Sequence, residues 1–372
     1  MRDAIFLSTW FWETHNVTER ICLALAHLGC KVLYCEPPKA IFRGRLRPMR
    51  ELQQGVYAFQ PAAVCGRLNH VPLLCDLQAA ALGRQIHRAA NQIGLRDPLF
   101  FYTWWQRGML PLCAQMKRDH FMVHLWSDHP PHGDPNYYRF VELSDKTLTI
   151  PRSDFHRLKA KFGGKVALIP QAVEFTRLAG AMAGPEPAVF TRIPRPRIGY
   201  LGHPKTALNL PLLLSVLKAR PDWHFVSVGA EKAAVPLANA HTLPWARPED
   251  LGRYVQSLDV GFLPYDCERE LTLHGVPLKM FEYFAFGLPV VSTPLIHIWE
   301  YKDLIYFGDT AEELVLAVQA ALNEPPDSPK RAARVAIARN HSIENVAAVL
   351  RRCLPLDDVA PVHADAVTAV QR

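Results

Sequence analysis

A strand, a helix, a glycine and a second strand fit within the first 35 residues, and few folds admit that arrangement. Ala4–Ser8 is a short apolar run suited to a buried strand. Residues 17–28 place Val17, Ile21, Leu23, Leu25 and Leu28 at helical spacing, with Asn16 or Thr18 as candidate caps. Gly29 stops this helix, and Lys31–Cys35 reads as a second buried strand. Two strands joined by a helical crossover pair in parallel, and a parallel sheet needs helices to cover it. The fold class is therefore α/β, with a parallel sheet.

The alternation continues along the chain. His70–Leu74 is a strand candidate and Ala79–Ile93 is helical in character. Leu99–Trp104, Phe121–Trp126, Thr147–Ile150 and Val166–Ile169 are further short apolar runs, and Ser153 caps a helix over 153–162. Residues 181–197 hold four prolines and one glycine in a linker-like stretch. A second βα series follows, with strands at Ile198–Leu201, His224–Val228, Val260–Leu263 and Pro289–Ser292. At 372 residues the chain exceeds what one core fills. The expected division is a domain over 1–183 and another over 197–338. A C-terminal helix over 339–354 then returns toward the first domain, and a flexible tail covers 355–372.

Composition narrows the function classes. Lys+Arg 42 against Asp+Glu 35 gives a net charge of +7, which favours an anionic substrate or surface without calling for nucleic acid. Eight cysteines lack any C-x-x-C pair, so buried free thiols in a reducing compartment are expected and no cysteine zinc site is. No apolar run of 18 or more residues is present, and Glu13 interrupts the apolar N-terminus early. The expected location is cytoplasmic, peripheral at the inner face of the plasma membrane.

In open parallel sheets, ligands bind beyond the carboxyl ends of strands, where helix N-termini present free N–H groups. Three places qualify in the second half. Gly199–Lys205 follows a strand, with Gly202, His203 and Lys205 suited either to a phosphate or to a plain tight turn. Gly229 opens a weaker second site. The third is His274–Ser292, where Pro277 suits the first turn of a helix and places Lys279 within that turn. Glu282, three residues on, lies near the same face. A lysine for a diphosphate and a carboxylate for two ribose hydroxyls would make a nucleotide cradle. A solvated Lys279–Glu282 pair accounts for the same residues.

Val276–Ser292, preceded by Asp259–Tyr265, resembles the donor signature of the family 4-like (group 1) glycosyltransferases of GT-B fold. Supporting resemblances are Tyr34-Cys35-Glu36-Pro37-Pro38, Ile169–Glu174 and Ile198–Gly202. The likeness is strongest to bacterial enzymes of cell-surface polysaccharide or teichuronic-acid-type synthesis. It implies two Rossmann-like domains facing across a cleft, with a nucleoside-diphosphate sugar on the second. Glu282 resembles the second glutamate of the family's E-x7-E motif, which binds the ribose. The first would fall at His274, a departure that touches sugar identity and activity. Gly202 resembles the glycine facing the donor phosphates, and Lys205 and Lys279 match the basic pair that neutralises them. Gly275, Val276, Pro277 and Leu278 complete the donor segment. The implied reaction is retaining and metal-independent, with no cofactor beyond the donor substrate.

The resemblance places the acceptor, a glycan, lipid-linked or small molecule, on the first domain. Candidates there are Thr9 and Trp10 after the first strand, and Trp104 and Trp105, which either stack on sugar or pack. Asp128 and His129 are catalytic candidates, Asp128 resembling the aspartate of a related Tyr-Asp-Cys-x-Asp-like segment. His124, in an apolar run, is either a donor or a core histidine. Residues 39–50 hold five basic and no acidic residues, among them Arg43, Arg45 and Arg47, interleaved with apolar ones. That pattern suits a lipid-diphosphate acceptor, an anionic membrane or a plain basic loop. The rival functions are a nucleotide-sugar epimerase of the same architecture and a non-catalytic nucleotide-sugar-binding or scaffold protein.

Overall fold

The computed structural model describes residues 1–12, 16–40, 44–63, 72–103, 109–126, 137–180, 184–202, 207–230, 235–247, 249–273 and 275–357. The first half supplies β1 (Ala4–Leu7), β2 (Val32–Cys35), β3 (Lys39–Ala40), β4 (Arg50–Gln53) and β5 (Val56–Phe59). It continues with β6 (Ala62–Ala63), β7 (Leu99–Thr103), β8 (Met122–Trp126), β9 (Lys146–Thr149) and β10 (Val166–Leu168). The second half supplies β11 (Arg197–Leu201), β12 (His224–Val228), β13 (Ala240–Leu243), β14 (Val260–Leu263), β15 (Val290–Ser292) and β16 (Ile305–Phe307).

Among the described residues these strands form two large sheets and one small pair, β3 with β6. The first large sheet runs β10-β9-β8-β7-β1-β2-β5-β4 and the second β13-β12-β11-β14-β15-β16. Pairing is parallel throughout, except that β4 lies antiparallel to β5 at an edge. In each sheet the chain order reverses beside its first strand, β1 or β11. Those switch points leave a crevice at the carboxyl ends. The strands are buried on both faces, as β1, β2, β7, β8 and β11 show at every residue.

Asn16 caps the helix Val17–His27: its side chain accepts from the backbone N–H groups of Thr18 and Glu19. That helix packs Ile21 and Leu25 in one core with Val346, Ala347 and Leu350 of the last helix, Ile343–Cys353. The C-terminal helix thus lies on the N-terminal unit. The chain is still held beyond it: Leu356 is buried and its carbonyl accepts from Arg2 N at 2.8 Å. Residues 355–357, assigned to the tail from sequence, are thus held, because an apolar Leu354–Leu356 pair has a core to enter.

Three other expectations differ from the structure. Pro72–Leu74 are not strand but open the long helix Pro72–Gln92, a place proline takes readily because it needs no N–H there. Ser153 does not cap helix Arg152–Phe162, whose preceding residue is Pro151. Its hydroxyl instead meets His297 Nδ1 at 2.8 Å, from the other unit. The core changes over between Ala172 and Val173, ahead of the proline-rich stretch. Within that stretch Phe190 and Ile193 are buried in the second core, since a proline-rich chain still lowers its free energy by taking apolar side chains out of water. No described helix is long and apolar enough to cross a membrane.

Candidate functional site

The carboxyl edge of the second sheet carries the site. Strand β11 ends at Leu201, and Gly202 follows with φ +117, a conformation that L side chains rarely adopt. Its N–H donates to Val228 O at 2.7 Å, which pins the turn to the end of β12. A Cβ on Gly202 would stand 3.3 Å from Lys279 Nζ. The turn and the lysine therefore touch one space.

Lys279 and Glu282 lie on helix Leu278–Phe284, whose Met280, Phe281, Tyr283 and Phe284 are buried. This apolar side fixes the helix against the sheet. Gly261 of β14 makes room, since a Cβ there would meet the Tyr283 ring at 2.4 Å. The Tyr283 hydroxyl donates to Gly199 O at 3.1 Å and accepts from Leu201 N at 2.9 Å. Burial pushes its phenol well above the ordinary range, so it stays a neutral clamp. Lys279 Nζ donates to the Tyr200 hydroxyl at 2.9 Å and lies 4.1 Å from that ring's centroid.

These groups enclose a cavity of about 170 Å³. Gly202, Trp245, Lys279 and Glu282 line it from the second unit, with Arg177 from helix Phe175–Gly180 and Arg20 from the first unit. Trp245 is 59% exposed, and its ring covers Gly229, where a Cβ would stand 3.0 Å away. Arg20 is buried to 3%, ion-pairs with Glu174 and places Nη2 3.6 Å from Glu282 Oε1. Burial pulls its guanidinium down to about 10, opposed by Glu282, and so it remains charged near neutrality. Arg177 Nη1 meets the other Glu174 oxygen at 2.8 Å. Three cations and the Glu282 carboxylate thus line one space, with Glu174 pairing two of the cations from behind, a balance that suits an anionic ligand carrying hydroxyl donors.

Residues 195–324 match the family model described as "Glycosyl transferases group 1". The Bacillus subtilis (strain 168) protein named "Putative teichuronic acid biosynthesis glycosyltransferase TuaH" is 26% identical over 211 residues, 52% of this chain and 49% of that one. The matched region thus spans about half the length of that relative. Solved structures align over nearly the whole chain. One is described as "Trehalose-6-phosphate from E. coli bound with UDP-2-fluoro glucose", with 12% identity, 94% of this chain, 98% of that chain and TM-score 0.66. Another is an alpha,alpha-trehalose-phosphate synthase (UDP-forming) from Burkholderia vietnamiensis, with 13% identity, 95% and 98% coverage and TM-score 0.66. The chain is a GT-B fold protein related to the group 1 glycosyltransferases. At such identities the solved structures speak for the fold.

In this GT-B chain the structure brings Gly202, Leu278, Lys279 and Glu282 around one cavity. Gly229 adjoins it under Trp245. Gly275, Val276 and Pro277 form the approach to the helix, and Val276 O accepts from Gln171 Nε2 at 3.0 Å. Thr9 and Trp10 stand at the carboxyl end of β1, where Ser8 Oγ accepts from Trp10 N at 3.0 Å. Arg45 and Arg47 are exposed. Arg47 also stacks over Phe11 at 4.7 Å and pairs with the buried Glu36 carboxylate, as does Arg50. His203, Lys205, His274, Arg43, Trp104, Trp105, Asp128 and His129 lie outside the described residues. His124 is buried among Tyr102, Trp126 and Phe140. Among the described residues no group of three or more His, Cys, Asp or Glu could hold a metal ion.

Arg20, Arg177 and Trp245 escaped the sequence analysis, which met Glu174 only as the end of the segment Ile169–Glu174 and gave it no role. The one signal for Arg20 is a cation on the stripe Val17–Arg20–Ala24, where helical spacing calls for an apolar side chain.

Proposed function

We propose that this chain is a retaining glycosyltransferase taking a sugar from a nucleoside-diphosphate sugar and passing it to a hydroxyl of a glycan, lipid-linked or small-molecule acceptor. The observation that carries the donor half is the convergence of Gly202, Lys279 and Glu282 on one cavity at the carboxyl edge of a parallel sheet. Lys279 supplies charge for a diphosphate, and its development on the leaving group is the main catalytic demand. Glu282 accepts the ribose hydroxyls. Retention of configuration follows the family resemblance, and metal independence suits a site whose charges are side-chain cations.

The acceptor is assigned to the first unit, across the cleft from the donor. Exposed Trp10, Phe11 and Leu46 beside Arg45 and Arg47 support a lipid-linked acceptor at an anionic membrane surface, reached from the cytoplasm. Glu36 draws in Arg47 and Arg50, so Arg45 carries the charge of this patch most openly.

The test is a binding and turnover panel of UDP, GDP, ADP, dTDP and CMP with their common sugars. Tight binding of one nucleoside diphosphate, lost in Glu282→Ala, together with sugar transfer to an added acceptor, supports the reading. Isomerised sugar without an acceptor favours the epimerase. Binding of the nucleotide sugar with no turnover favours the scaffold.

A further inference from the structure

The cavity is not built by the second unit alone. Arg20 reaches it from helix Val17–His27, which is packed in the first unit's core through Ile21 and Leu25. Its guanidinium stands between Glu174, on the segment where the chain changes units, and Glu282. Segment 171–174 is itself held: Val173 N donates to His341 O at 2.7 Å, and Ile343 N donates to Val173 O at 2.9 Å. Glu174 is fixed from its other oxygen by Arg177. Arg20 therefore has little freedom to turn away. Its Nε is buried and donates no hydrogen bond, and the same holds for Arg177 Nε. The two arginines line a space that also holds a carboxylate and a lysine.

A carboxylate that receives two ribose hydroxyls must stay charged and must not rotate. Lys279 lies toward Tyr200 and Gly202, whereas among the described residues the cation whose charged nitrogen stands within ion-pair distance of Glu282 is Arg20. A planar guanidinium fixes direction as well as charge, which an ammonium does not. We propose that Arg20 is a positioning residue of the donor site, holding the Glu282 carboxylate across the boundary between the units for the ribose of a nucleoside diphosphate. The assignment rests on the donor reading above. On this basis the donor site is complete only while the first helix stays seated against the second unit.

The experiment is a double-mutant cycle on the full chain: wild type, Arg20→Gln, Glu282→Gln and the pair, each titrated calorimetrically with UDP, GDP, ADP and dTDP. Arg20→Lys serves as the conservative variant. Stoichiometry counts the folded fraction while Kd reports the site, so lost stability is read apart from lost positioning. The expected result is a Kd for Arg20→Gln raised ~10-fold or more, with Arg20→Lys recovering part of it. In the Glu282→Gln background, Arg20→Gln should change Kd by less than ~2-fold. An Arg20→Gln protein with fewer sites but an unchanged Kd makes Arg20 merely structural and overturns the assignment. Equal effects in both backgrounds overturn it too, because Arg20 then does not act through Glu282. Wild type that binds none of the four nucleotides overturns the donor reading, and this assignment with it.

Discussion

Lys279 Nζ donates to the Tyr200 hydroxyl at 2.9 Å while Gly202, the turn after the same strand, leaves space 3.3 Å from that nitrogen. The phenol holds the ammonium beside the backbone turn, where the proposed diphosphate would approach. Lys279→Met keeps the length and removes the charge, so affinity for the nucleoside diphosphate should fall ~10- to 100-fold. Tyr200→Phe should cost less, ~2- to 5-fold, because the cation over the ring remains. Isothermal titration of both variants checks the order; a Tyr200→Phe loss equal to that of Lys279→Met would contradict it.

Gly202→Ala should be costly out of proportion to one methyl group. At φ +117 a β-carbon is strained by ~1–2 kcal/mol, and this one also enters the space before Lys279. Chemical denaturation should show the stability loss, and nucleotide titration a weaker Kd in the folded fraction. A variant with wild-type stability would refute the strain argument.

Acid should destabilise the fold through buried histidines. Burial pulls His341 down to about 4 and His124 to about 3. His341 stacks on Phe281 at 4.1 Å, with Nδ1 3.1 Å from Gln171 O. Below its ordinary value of about 6.5, the unfolded chain takes up a proton that the folded chain refuses. Stability should therefore fall as pH drops from about 6.5 toward 4, by about 1.5 kcal/mol per histidine between pH 6.5 and 5. Urea midpoints at pH 7, 6 and 5 should show this slope, and His341→Gln should flatten it. An unchanged slope would assign the effect elsewhere.

Binding to phosphatidylserine vesicles should be salt-sensitive, and weaker after Arg43, Arg45 and Arg47 are changed to Gln. Each basic residue at an anionic surface contributes about 1 kcal/mol, and raised salt screens it. Arg45→Gln alone should lose more than Arg47→Gln, because Glu36 already neutralises Arg47 in part. Vesicle co-sedimentation unchanged in the triple variant would remove the membrane from the proposal.

Much of the architecture was legible because it is local. Residues 4–35 spell out their own strand, capped helix and strand, since helical period, Asn16 capping and Gly29 depend on neighbours a few positions away. Lys279 and Glu282 could be placed on one short helix, with Pro277 at its start, for the same reason. The edge strands β13 and β16 were missed, being three or four residues long and only partly buried, which leaves a weak apolar pattern.

What the sequence determined by itself is therefore the α/β alternation, two cores and a short helix that carries Lys279 and Glu282. Tertiary structure alone decided which side chains share the cavity. Arg20 and Glu282 lie more than 260 positions apart in the chain, and no periodicity relates them. They meet because the helix Ile343–Cys353 crosses back to pack on Val17–His27, and because the crossing segment carries Glu174 between them. Local propensity sets elements, but a charge can be buried only where the fold brings an opposite charge to it.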